Sequence, residues 1–226
     1  MSVKRRRQVA VLGLGRFGSA VARELAKLGH EVLAVDSSEK IAQDLGNEVT
    51  HAAQADITDE ETLAALGLRD FDTVIVGVSS DLQVSILATV LLRRLGVKRI
   101  VAKAANELHG SILQEVGANR VVHPERETGY RLAHSFAAPG VTDYLDVAPD
   151  YGIARIAVAE SWVGKQLGEI DTEKSCGVIV MVITRDGHAI ASPSATERLR
   201  PGDTLIVAGP DENLERLPSA DLQPRK

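Results

Sequence analysis

An apolar run that ends in a glycine-rich turn fixes how this chain must begin: Val9 to Gly18 read V-A-V-L-G-L-G-R-F-G, and Asp36 closes the next apolar run. A strand feeding straight into G-x-G-x-x-G delivers its carboxyl end to a helix N-terminus, where unpaired backbone N–H groups and the helix dipole attract a pyrophosphate. Gly13 permits the tight turn, Gly15 lets the backbone approach phosphates, and Gly18 lets the new helix pack closely on the strand. Leu14, Arg16 and Phe17 complete the turn and the helix start. Asp36 follows Glu31–Val35, where a carboxylate accepts from ribose hydroxyls and repels a 2′-phosphate. An adenine nucleotide with a free ribose is expected, and NADP is not.

The rest of the first half agrees with that beginning. Apolar runs at Gln8–Leu12, Glu31–Val35, Thr50–Ala53, Thr73–Gly77, Arg99–Ala102 and Arg120–Val122 alternate with helical patterns at Arg16–Leu28, Glu39–Leu45, Asp59–Leu66, Leu82–Leu95 and Glu107–Val116. Such alternation predicts an α/β fold, a Rossmann-like doubly wound parallel sheet of six strands. Gly29, Gly46, Gly67, Gly96 and Gly117 each follow a helix and are expected as left-handed caps. A further helix is predicted over Pro124–Ala137, with a break at Ala138-Pro139-Gly140.

Beyond the break the texture is β-rich, with strands expected at Asp143–Val147, Ile153–Val158, Val178–Thr184, His188–Ala191 and Thr204–Ala208. A hairpin turn is expected at Arg185-Asp186-Gly187, and short helices at Gly164–Leu167 and Asp211–Leu217. The expected division is a nucleotide domain over 1–140 including the crossover helix, a small α+β domain over 141–217, and a frayed tail over 218–226.

In an open α/β sheet the ligand lies across the carboxyl ends of the strands, which selects Asp36, Asp56, Ser79, Lys103 and Glu125, with Ser37 and Ile57 adjoining. Arg16 can carry a fixed charge to a phosphate, its own or a neighbouring subunit's. Asp56 and Ser79 suit adenine or ribose, and equally suit helix caps ahead of Asp59 and Leu82. Lys103 suits a phosphate. Glu125 beside phosphates requires a cation between them, and otherwise reads as a favourable first-turn glutamate.

Hydride transfer needs a positioned acid or base and a pocket over the nicotinamide. The second half offers only His188 at a hairpin, while His123 and His134 read as structural, so no catalytic residue is assigned. Cys176, the single cysteine, reads as packing. A net charge of -5 and one short basic run, Lys4–Arg7, argue against a nucleic-acid partner. No apolar stretch approaches the ~20 residues of a bilayer span, and no signal segment is evident, so a cytoplasmic location is expected.

Taken together, G-L-G-R-F-G at Gly13–Gly18, V-D at Val35-Asp36, A-D at Ala55-Asp56, V-S-S at Val78–Ser80, A-K at Ala102-Lys103 and H-P-E at His123–Glu125 resemble the RCK (regulator of K+ conductance) family. The resemblance is to its cytosolic KtrA/TrkA-type gating subunits, and continues through Val163–Leu167 and Arg200-Pro201-Gly202-Asp203. It implies a homo-octameric ring built from dimers, lying at the inner face of the membrane under a KtrB/TrkH-like potassium-conducting subunit. It also implies ATP or ADP in the glycine-rich cleft, Arg16 sensing the γ-phosphate across a dimer, and Glu125 holding Mg2+, Ca2+ or Na+ near the phosphates. The family's C-terminal domain can bind cyclic di-AMP; here Glu173, standing where an arginine is expected, would repel the phosphodiester, and Lys174, the available substitute, lacks arginine's bidentate geometry. The alternative is a small NAD-dependent oxidoreductase or an NADH-sensing regulator, since Asp36 does not report what lies beyond the pyrophosphate.

Overall fold

The computed structural model describes residues 6–137 and 140–217. The chain forms two compact units, divided between Pro124 and Glu125. The first alternates strand and helix without exception: β1 (Gln8–Leu12), α1 (Arg16–Lys27), β2 (Glu31–Asp36), α2 (Glu39–Leu45), β3 (His51–Gln54), α3 (Glu60–Ala65), β4 (Thr73–Val76), α4 (Leu82–Arg94), β5 (Ile100–Lys103), α5 (Glu107–Val116) and β6 (Arg120–Val122). All pairings are parallel, in the order β3-β2-β1-β4-β5-β6.

The pleat of β1 shows why the sheet is covered on both faces. Ala10 and Leu12 join one core cluster with Leu63, Leu92 and Leu113 of α3, α4 and α5, while Val11 joins a second with Ala22 and Leu45 of α1 and α2. Alternate residues of one strand thus feed opposite layers, and the order of strands reverses between β1 and β4. That reversal is the switch point where a ligand is expected.

Gly29, Gly67, Gly96 and Gly117 have positive φ, as expected of helix ends. Gly46 does not: it is right-handed, with φ -53° and ψ -32°. There the chain keeps turning in the helical sense, Gly46 N–H donating to Gln43 O and Glu48 N–H to Leu45 O, so no left-handed exit is needed.

The second unit opens with α6 (Pro124–Ala137) and continues as β7 (Val141–Ala148), β8 (Tyr151–Ala157), α7 (Leu167–Ile170), α8 (Thr172–Cys176), β9 (Ile179–Arg185), β10 (His188–Ala191), β11 (Thr204–Pro210) and α9 (Asp211–Leu214). Its antiparallel sheet has the order β10-β9-β11-β8-β7. Asp186 and Gly187 both have positive φ, 50° and 77°, the requirement of a primed two-residue hairpin turn.

The expected helix at Gly164–Leu167 is displaced. Gly164 instead has φ 82° and donates to Leu199 O; the helix begins only at Leu167, where Gln166 and Glu169 form a reciprocal capping box. The helix α8 has no counterpart among the expected elements, being too short to show a period. The predicted tail over 218–226, residues 138 and 139 of the predicted break, and Lys4 and Arg5 of the basic run lie outside the described residues.

Candidate functional site

The turn between β1 and α1 is held from three sides. Gly13 has φ +86°, and a Cβ there would meet Val78 Cγ2 at 2.3 Å, so the position admits no side chain on either ground. Its N–H donates to Val35 O at 2.8 Å. A Cβ on Gly18 would stand 1.9 Å from Gly13 O, which is how closely α1 presses on the turn. Ser19 Oγ donates back to Leu14 O at 2.6 Å, tying the second turn of the helix to the loop.

Gly15 is the opposite case: no heavy atom lies within 4 Å of where its Cβ would be. It is the N-cap of α1 and offers no side-chain cap, and the first turn carries no acidic residue. The leading N–H groups of a helix have no intrahelical acceptors. Over this turn there is consequently room for an anion and donors to receive it.

Asp36 does more than the sequence suggested. Its Oδ2 accepts from Leu14 N–H at 2.7 Å and its Oδ1 from Ser38 N–H at 2.9 Å, so the carboxylate clasps the glycine turn to the end of β2. Each carboxylate oxygen has a further lone pair, leaving acceptor capacity for a ribose.

A cleft of about 700 Å3 opens beside these groups. It brings together Gly13, Asp36, Ser37, Asp56 and Ile57 of the expected residues. Asp56 Oδ1 accepts from both the hydroxyl and the backbone N–H of Thr58, and these bonds hold its carboxyl below the usual carboxylate range. The cap of α3 is Asp59, which accepts from Glu61 and Thr62. Likewise the cap of α4 is Asp81, accepting from Val84 N–H at 3.0 Å. The cap roles offered for Asp56 and Ser79 therefore belong to other residues.

Leu14 turns its side chain into the core, 2% exposed, and contributes only backbone. Lys103, at the end of β5, places its Nζ 5.7 Å from the centroid of the half-buried Phe17 ring, a cation–π contact that sets a positive charge beside the helix start. Arg16 is exposed. Ser79 is half-buried beyond β4 and, like Arg16 and Lys103, is outside the cleft lining. Glu125 is exposed in the first turn of α6 and belongs to the second unit. Among the described residues no group of three or more His, Cys, Asp or Glu could hold a metal ion.

Sequence reasoning missed Gln54, Thr58, Asp81 and Val84, which also line the cleft together with Ala55 and Val78 of the A-D and V-S-S motifs. Gln54 Nε2 donates to Ser37 O at 3.1 Å, bridging the ends of β2 and β3. Asp81 carried a readable signal, an aspartate immediately before a helical run; the others are brought in only by strand adjacency.

In the second unit, Lys174 pairs with Asp171 at 3.0 Å within one exposed turn. Asp203, from the R-P-G-D stretch, is 2% exposed and binds Arg185 through Nε and Nη2, both at 2.8 Å, while Arg185 Nη1 donates to Glu197 at 2.9 Å. Burial pushes the Asp203 carboxyl up, but Arg185 and the N–H of Arg200 outweigh it and hold the group below the usual range. Cys176 is half-buried against the second core, and His188 is exposed.

With that geometry in place, comparison with known proteins is direct. The TrkA-N domain model matches residues 9–124 and the TrkA-C domain model residues 153–219. Ktr system potassium uptake protein C of Bacillus subtilis (strain 168) is 37% identical over 211 residues, 93% of this chain and 96% of that protein. Ktr system potassium uptake protein A of the same strain is 34% identical over 210 residues, 93% of this chain and 95% of that protein. Among solved structures, the GsuK RCK domain matches with a TM-score of 0.66 at 20% identity, over 95% of this chain and 47% of that one. This chain spans about half of the latter's length, and the likeness is one of fold.

Proposed function

Because this chain belongs to the RCK family, a TrkA-N domain followed by a TrkA-C domain, we propose that it is a cytosolic, non-catalytic regulatory subunit of a potassium uptake system. In this reading its cleft binds ATP or ADP and biases the conformation of a membrane-embedded potassium-conducting partner. The observation that carries the reading is the open space over Gly15, at an uncapped helix start beside the Asp36 carboxylate. That arrangement fits a ribose and a pyrophosphate. The cleft lining holds carboxylates, an amide and hydroxyls, acceptors and donors that suit a ribose and an adenine.

A nucleotide shifts an equilibrium only by its difference in affinity between two states, so ATP and ADP must be told apart at the γ-phosphate. We assign that to Arg16 acting across a dimer within an octameric ring, with Ser79 and Lys103 near the ribose and phosphates. Glu125 would hold Mg2+, Ca2+ or Na+ close to the phosphates at the dimer interface. For this purpose the functional nucleotide domain is taken as 1–140 with α6 as crossover, and 141–217 as the regulatory domain. Lys174, occupied by Asp171 and next to Glu173, gives little support to a cyclic di-AMP site. No described helix is long and apolar enough to cross a membrane, so attachment to the inner face of the membrane would run through the partner.

The test is calorimetric binding of ATP, ADP, NAD and NADH to the purified chain, with the oligomer mass measured in parallel. Tight ATP and ADP binding by an octamer is expected; a monomer or dimer that prefers NADH would replace gating by an NADH-sensing or oxidoreductase role. A second reading of the ligand, NAD bound by the gating protein itself, has its own support, since a GsuK channel of this fold was solved bound to NAD. Arg16→Ala should reduce the ATP preference selectively; equal weakening of both nucleotides would remove Arg16 as the sensor.

A further inference from the structure

A buried imidazole ties the loop after β5 to the start of α5. His109 is 1% exposed, and its Nδ1 accepts from the backbone N–H of Ala105 at 3.1 Å. Because Nδ1 is the acceptor, the proton of the neutral ring sits on Nε2, which is buried and has no hydrogen-bond partner among the described residues. Ala105 stands two residues beyond Lys103, and Lys103 lies over Phe17 in the glycine-rich helix start. The ring therefore tethers the loop that follows Lys103, next to the bond from Ala104 N–H to Val122 O.

The surroundings are hostile to a second proton. His123, beyond β6, closes over Gly110, where a Cβ would meet its Cε1 at 2.9 Å. From α4, which packs on α5, the buried polar residues are Ser85 and Thr89; its charged Arg93 and Arg94 lie at the far end, Arg93 against Gly117. α5 itself carries Glu107 and Glu115, and the adjoining strands Lys103 and Arg120. Burial, and then the neighbouring His123, hold the His109 ring below its ordinary pKa.

We propose that protonation of His109 is an acid switch on the nucleotide cleft: a proton added at Nδ1 turns the acceptor into a donor facing Ala105 N–H, breaks that bond, and displaces the loop behind Lys103. Acid therefore weakens nucleotide binding. The proposal rests on the reading that the glycine turn holds a nucleotide. The proton comes from solvent, and no other bond changes.

The experiment is ATP binding from pH 8 to pH 5.5, comparing wild type with His109→Asn, whose amide oxygen can accept in place of Nδ1 and does not titrate. ATP's own titration is common to both proteins. Wild-type affinity should fall relative to the variant, toward the limit of about tenfold per pH unit set by one linked proton. Coincident profiles would overturn the switch alone. Wild type that binds no ATP at pH 8 would overturn the nucleotide reading and the switch with it. If His109→Asn does not fold, hydrogen exchange on wild type decides: the 104–106 segment should lose protection, after correction for intrinsic rates, over the same pH interval in which affinity falls. Unchanged protection there would also overturn the proposal.

Discussion

Gly15 and Gly18 stand three residues apart, and the structure separates their duties. A methyl on Gly18 collides with backbone at Gly13, which cannot yield cheaply, so Gly18→Ala should cost about 1–3 kcal/mol, read as a lowered midpoint in denaturant. A methyl on Gly15 meets open space at φ -61°, so Gly15→Ala should stay within about 1 kcal/mol of wild type while nucleotide affinity drops. Equal stability losses in the two variants would dissolve the distinction between a packing glycine and a ligand glycine. The turn was legible in the sequence because its geometry is local, a strand, three spaced glycines and a helix start in ten residues; Asp36 was legible because it closes the next apolar run. Gln54, Thr58 and Val84 were not, because they meet only after separate strands have taken neighbouring places in the sheet.

Elements were legible where they are long enough to show a period or to end on a glycine. The alternation of β1 to β6 with α1 to α5 is of that kind, and the turn residues Asp186 and Gly187 announced the hairpin. The short helices α7 and α8 span barely a turn each; capping and packing, not propensity, decide where they begin. Across β9 and β11 the Arg185–Asp203 pair is a junction that no local pattern reveals, though R-P-G-D marked one end of it. Both side chains are largely buried, 14% and 1% exposed, and Arg185 keeps Glu197 as a second partner, so Asp203→Ala should cost about 1–3 kcal/mol through the lost charge-assisted hydrogen bonds. The sign with pH follows from the depressed Asp203 pKa. The pair's contribution is complete above the unfolded carboxylate value near pH 4, and is lost as pH falls from there through the folded-state value. The wild-type stability advantage over Asp203→Ala should therefore shrink in acid; an advantage that grew in acid would contradict the assignment.

At the level of the whole molecule, the two units have separate cores, the first built on the parallel sheet and the second on the antiparallel one. Calorimetry should resolve two transitions. Gly152→Ala, whose new methyl would lie 2.3 Å from the Tyr144 ring, should lower only the transition of the second unit. ATP at a hundred times its dissociation constant should raise the other by about 2.7 kcal/mol, and a shift confined to the transition lowered by Gly152→Ala would relocate the nucleotide. Within the first unit, the double clasp made by Asp36 has a further consequence. The carboxylate proposed to select a ribose also anchors Leu14 and Ser38, so nucleotide choice and loop architecture cannot be edited separately. A replacement that welcomed a 2′-phosphate would also unfasten the turn proposed to receive the phosphates. In this chain a change of coenzyme preference is an architectural event and requires compensating substitutions at both ends of the clasp.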